Sequence, residues 1–115
     1  MADGDDTLET LFAPGSEPAI PVVVLGEYLY GIRRSRERAA REKWLTQFMK
    51  GCLVLGVDTD TAAHYAEIRE ELRQSGRPIP VNDLWIAALA RQHALAVISR
   101  DRHFDFVPGV RRVAW

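Results

Sequence analysis

The sequence predicts an α/β domain built on a mostly parallel sheet, and three observations predict it. Leu84 to Ala90 is apolar without a break, the mark of a helix buried on every side. Leu95 to Ser99 is a short apolar run between polar residues, the pattern of a buried strand. Elsewhere helical and strand patterns alternate, as in folds whose helices cover both faces of a sheet through right-handed crossovers. The 115 residues, 47% of them apolar, suffice for one domain with a core, and residues 1–115 are read as that single domain.

The elements follow in order. Asp5 to Phe12 reads as a short helix capped by Asp6 or Thr7, with Leu8, Leu11 and Phe12 on one face. Ala13-Pro14-Gly15-Ser16-Glu17-Pro18 is a turn by composition. Ala19-Ile20 allows only a very short strand. A helix starts at Pro21, where proline is tolerated, and Val22, Leu25, Leu29 and Ile32 mark its buried stripe, with Glu27 among them. Arg33 to Lys50 is a charged helix with Ala39, Ala40, Trp44, Leu45, Phe48 and Met49 inward and Gly51 as its closing C′ glycine. Cys52 to Val57 reads as a buried strand. Asp58 or Thr59 caps a long amphipathic helix bearing Ala62, Ala63, Tyr65, Ala66, Ile68 and Leu72. Ser75 to Pro80 breaks the chain before the apolar helix. His103 to Gly109 is a loop and Val110 to Trp115 a last strand.

Composition excludes several classes. A net charge of −1 restricts any nucleic-acid contact to a local patch. The single Cys52 allows no internal disulfide and fits a reducing, cytoplasmic setting. No stretch is long and apolar enough to span a membrane, and the acidic Met1-Ala2-Asp3-Gly4-Asp5-Asp6 is unlike a signal peptide. His64, His93 and His103 show no metal spacing, so zinc is not expected.

Three carboxylates lie in apolar surroundings: Glu27, Asp83 and Asp101. Asp83 opens the apolar helix, and Asp101 follows the end of a strand, where open α/β folds bind ligands. Carboxylates converging on one point repel one another, and a hard divalent cation such as Mg²⁺ relieves this with few protein ligands. Each acid also has an ordinary reading. Asp83 is a first-turn acid favoured by the helix dipole, Asp101 a loop acid beside Arg100 and Arg102, and Glu27 a residue on a solvent stripe. In Arg33 to Lys43, the i,i+4 pairs Glu37–Arg41 and Arg38–Glu42 describe a solvated helix. Arg33, Arg34 and Arg36 are candidates for phosphate contacts, and Ser99 either finishes its strand or donates to a phosphate.

Three motifs carry a family resemblance. Leu25-Gly26-Glu27-Tyr28-Leu29-Tyr30-Gly31-Ile32-Arg33-Arg34-Ser35, Asn82-Asp83-Leu84-Trp85-Ile86-Ala87-Ala88 and Ile98-Ser99-Arg100-Asp101-Arg102-His103-Phe104 resemble, in order and spacing, the acidic motifs of the PIN-domain ribonucleases of VapC type. The match runs from about Ala19 to Trp115. The resemblance implies a PIN-like three-layer α/β/α sandwich and a toxin of a toxin–antitoxin pair. It implies RNA hydrolysis with Mg²⁺ or Mn²⁺, with Glu27, Asp83 and Asp101 holding the metal and orienting the attacking water. It also implies a homodimer and a VapB-type antitoxin. The family opens with a central strand ending in a metal-binding aspartate, and no such strand is read here. Asp3, Asp5 and Asp6 are not assigned its role. The expectation is an N-terminally truncated chain with a gap between the Ala19-Ile20 and Leu95–Ser99 strands: either Met1 is an internal methionine, or the two strands pair directly, or a dimer covers the gap. Weaker metal binding and lower activity follow. The alternative is an inactive module that binds antitoxin or RNA.

Overall fold

The computed structural model describes residues 8–114. In chain order it contains β1 (Thr10–Phe12), β2 (Ala19–Pro21), α1 (Val22–Arg33), α2 (Arg38–Met49), β3 (Leu53–Leu55), α3 (Thr59–Ser75), α4 (Val81–His93), β4 (Ala96–Ile98), a short 3₁₀ turn (Arg102–Phe106) and β5 (Arg112–Val113). One five-stranded sheet runs β3-β2-β1-β4-β5. β2 pairs with β3 and β4 with β5 in parallel, whereas β1 is antiparallel to both of its neighbours. Four strands therefore share one direction and β1 alone opposes them.

The expected gap between the Ala19 and Leu95 strands is thus closed by neither direct pairing nor a second copy. β1 fills it, and the expected Asp5–Phe12 helix is corrected over its described part. Thr10, Leu11 and Phe12 pair with Ile98, Val97 and Ala96 on one side, and Leu11 pairs with Ala19 on the other. Thr and Phe favour a pleated, half-buried backbone. The reversal before β2 follows Pro14-Gly15, with Gly15 at φ 81° and Ser16 N–H donating to the Ala13 carbonyl. Positive φ after proline is the requirement of a tight turn that glycine meets without strain. Asp5, Asp6 and Thr7, the expected cap and start of that helix, lie outside the described residues.

The core is where the sequence placed it, around α4. Leu84, Ile86, Ala87, Ala88, Leu89 and Ala90 are all buried, and they meet Leu11, Ile20, Ile68, Leu72 and Val97. Arg91 of α4 forms a bidentate pair with Glu71 of α3 at 2.9 and 3.1 Å, a geometry suited to the guanidinium fork. Asp58 caps α3 in a capping box with Thr61, as expected. Gly76 closes that helix in the left-handed conformation.

Other expectations are corrected. Val24 and Ile32 are the buried residues of α1, while Val22 and Leu29 are exposed. The charged helix begins at Arg38 rather than Arg33, because Ser35 Oγ accepts the Glu37 N–H and turns the chain between α1 and α2. Its Ala39 and Ala40 are exposed, and Leu45 carries its burial. The pairs Arg38–Glu42 and Glu37–Arg41 form at 3.0 and 3.9 Å. Gly51 follows the helix without positive φ. On α3, Ala62, Ala63 and Ala66 face solvent. The apolar Cys52–Val57 run forms an edge strand with Leu53 52% and Val54 44% exposed, not a buried one. The last strand shortens to β5, and part of the expected loop is the 3₁₀ turn. Trp44 stacks on Phe48 and Trp85 on Tyr65, whereas Trp115 lies outside the described residues. Among the described residues no helix is long and apolar enough to cross a membrane.

Candidate functional site

The site forms where the N-terminus of α4 meets the carboxyl end of β4. Pro78 and Pro80 bracket Ile79 ahead of α4, and Asp83 falls in the first turn, where the free N–H groups and the helix dipole favour a carboxylate. After β4, Ser99 is fully buried and its hydroxyl accepts the Asp101 N–H at 2.9 Å. That short hydrogen bond bends the chain and brings Asp101 round to the mouth of α4. Asp101 caps the 3₁₀ turn by accepting the His103 N–H.

The turn places the His103 ring between the two acids. Its Nδ1 lies 3.1 Å from Asp83 Oδ2 and 2.8 Å from Asp101 Oδ1. Ligand atoms of Asp83, Asp101 and His103 lie within 4.8 Å of one another, a grouping able to hold a metal ion. The sequence puts His103 two residues after Asp101, and the 3₁₀ turn brings its ring back onto Asp83.

Glu27 occupies a different wall. It is exposed on α1 and lines a cleft of about 170 Å³ with Glu9, Val23, Val24, Asn82, Asp83 and Ile86. Asp83 therefore belongs both to this cleft and to the Asp101–His103 group. Glu9 was not read from the sequence as a site residue. Its signal was present in Thr7-Leu8-Glu9-Thr10-Leu11-Phe12 before a Pro-Gly turn, a hairpin pattern as readily as a helical one. Arg33, Arg34 and Arg36 are exposed at and beyond the C-terminal end of α1 and do not line the cleft. Arg33 is six residues from Glu27, about 9 Å along the helix. Ser99 lies behind the acids rather than in the opening.

The electrostatics match a cation site. Burial pushes the Asp83 carboxyl up to about 6, and the charges of Asp101 and Glu9 push the same way, against the stabilising hydrogen bond from His103. The His103 imidazole is also raised, first by its hydrogen bond to Asp83, while desolvation opposes this. An imidazolium between Asp83 and Asp101 supplies the positive charge that these carboxylates otherwise lack. The donor set is mainly carboxylate oxygen, which suits a hard divalent ion, so the residues fit such a metal.

The family model for the PIN domain matches residues 3–110. Ribonuclease VapC4 of Mycobacterium tuberculosis is 33% identical over 98 residues, covering 84% of this chain and 75% of that protein. The tRNA(fMet)-specific endonuclease VapC of Salmonella typhimurium is 32% identical, with 87% and 76% covered. Among solved structures, VapBC2 from Rickettsia felis bound to a promoter DNA fragment superposes with a TM-score of 0.79 at 28% identity, covering 84% of this chain and 74% of that one. VapBC-5 from M. tuberculosis gives 0.75 at 35% identity, with 84% and 81% covered.

Proposed function

Because the chain belongs to the PIN-domain family, we propose that its acidic cleft hydrolyses RNA phosphodiesters as the ribonuclease toxin of a toxin–antitoxin pair. The observation that carries this reading is the meeting of Asp83 and Asp101 at the mouth of α4, in a chain whose relatives are named ribonucleases of VapC type. Asp83, Asp101 and Glu27 would hold Mg²⁺ or Mn²⁺. A bound divalent ion supplies Lewis-acid charge to the scissile phosphate and lowers the pKa of water. Asp83 keeps its carboxylate aimed from the α4 N-terminus, and Asp101 is fixed by the hydrogen bond from its own N–H to Ser99. Glu27, exposed on α1 and lining the cleft with Asp83, would complete the ligand set and orient the attacking water. His103 stands beside Asp83 and Asp101 and is able to donate toward the leaving oxygen or a phosphate.

Arg33, Arg34 and Arg36 would contact flanking phosphates outside the cleft, and Ser99 would act by placing Asp101. The partners of this reading are RNA, a VapB-type antitoxin that covers the acidic cleft, and a second copy of the chain. Structural neighbours that are VapBC complexes support the antitoxin. Exposed Leu29 and Tyr30 on α1 support a protein partner.

The test is an RNA cleavage assay with Mg²⁺ or Mn²⁺, with chelator, and with Asp83→Asn and Asp101→Asn. Each substitution is expected to lower the rate more than about 100-fold, the effect of losing a few kcal/mol of transition-state stabilisation. Cleavage that survives both substitutions sinks the mechanism. Antitoxin binding with no cleavage under any metal condition would instead mark an inactive binding module.

A further inference from the structure

We infer that Glu9, delivered by the antiparallel strand β1, is a fourth carboxylate of the metal site, an assignment that rests on the nuclease reading above. Thr10 pairs with Ile98, so the residue before Thr10 falls opposite the residue after Ile98. That places Glu9 against Ser99, and the Ser99 hydroxyl donates to Glu9 Oε2 at 2.7 Å. The same hydroxyl accepts the Asp101 N–H at 2.9 Å. One buried oxygen thus ties together the strand that carries Glu9 and the turn that carries Asp101.

Glu9 also reaches the front of the site, where it lines the cleft with Glu27, Asn82 and Asp83. Its charge is felt by Asp83. No motif of the sequence pointed to this residue. It comes from a strand running against the other four, and a glutamate side chain gives it reach from the strand end. With Glu9 present, the cleft carries carboxylates from α1, α4 and the start of β1, and Asp83 joins it to Asp101 on the turn after β4. His103 offsets the charge of Asp83 and Asp101 on their side, whereas Glu9, Glu27 and Asp83 share a cleft with no cationic side chain among its described lining residues, and like charges so placed favour a hard divalent ion.

A merely structural role is the rival, in which Glu9 serves as the acceptor for Ser99. Two substitutions order oppositely under the two roles. Glu9→Gln keeps the reach and an acceptor oxygen but removes the charge. Glu9→Asp keeps the charge but shortens the side chain by one methylene, which breaks the Ser99 contact. Mn²⁺ titrated calorimetrically into the RNA-free chain should bind Glu9→Gln at least about tenfold more weakly than the parent, with Glu9→Asp between the two. The reverse order, with Glu9→Gln close to the parent and Glu9→Asp weakest, overturns the assignment. Circular dichroism of each variant checks its fold; if Glu9→Gln does not fold, a folded Glu9→Ala replaces it, and Mn²⁺ binding equal to the parent's overturns the assignment. Parent protein that takes up no Mn²⁺ and cleaves no RNA removes the nuclease reading and Glu9 with it. Parent binding that is lost in Asp83→Asn yet intact in Glu9→Gln removes Glu9 alone.

Discussion

Asp83 carries conflicting demands. It is 8% exposed and its carboxyl is raised to about 6 from an ordinary 3.8, first by burial and then by the charges of Asp101 and Glu9. A carboxyl that holds its proton more tightly folded than unfolded adds stability below its unfolded pKa and withdraws it as pH rises through the folded one. His103, also raised, has the same sign, with stability present below about 6.5 and lost above. The carboxyls lowered by partners, Asp58, Glu71 and Asp105, act the other way, but they titrate below the usual carboxylate range. Metal-free protein should therefore lose thermal stability as pH rises from about 4 to about 6, with a further loss above 6.5 as His103 gives up its proton. Asp83→Asn should flatten that slope and raise metal-free stability at pH 7, by on the order of 1–3 kcal/mol. Thermal melts in chelator across this range check it, and an unchanged slope in Asp83→Asn excludes Asp83 as its source. The ionised Asp83 is retained at a cost to the apo fold, as expected of a group kept for a ligand.

At the scale of elements, legibility followed the strength of local signals. The apolar run of α4, the Asp58 cap of α3 and the apolar β4 were plain because burial and capping leave residue-by-residue marks. Asp83 and Asp101 were found for the same reason, each being an acid at the end of a buried element. β1 was misread because Leu8, Leu11 and Phe12 fit a helix face, while strand pairing on both sides decided the outcome. Glu9 was lost with it. β3 was misread in the other direction: its leucines and valine are apolar, yet the strand sits at the sheet edge, a position no local pattern reveals. The central place of β1 has a measurable cost attached. Leu11, 0% exposed, should lose about 2–5 kcal/mol on substitution by alanine, whereas Leu53→Thr on exposed β3 should change stability by no more than about 0.5 kcal/mol. Urea unfolding of the two variants tests the order; near-equal effects would contradict the sheet arrangement.

At the scale of the molecule, the acidic opening and the basic segment after α1 divide the tasks of an RNA-binding surface. Net charge is near zero, so attraction to RNA must come from local cations. Reversing Arg33, Arg34 and Arg36 to glutamate should weaken RNA binding and flatten its dependence on salt. If each meets one phosphate, the slope of log affinity against log salt should fall by roughly 2. Filter binding over a salt series measures it, and an unaltered slope removes these arginines from the interface. The fold should survive, because all three are exposed.

The hydrogen bond from Ser99 to Glu9 spans 90 residues of sequence. On a ribosome adding roughly 5–20 residues per second, the amino-terminal half of that contact waits several seconds for its other half to be made. Asp101 and His103 follow Asp83 in the chain, so the pocket cannot assemble until the turn after β4 has left the exit tunnel.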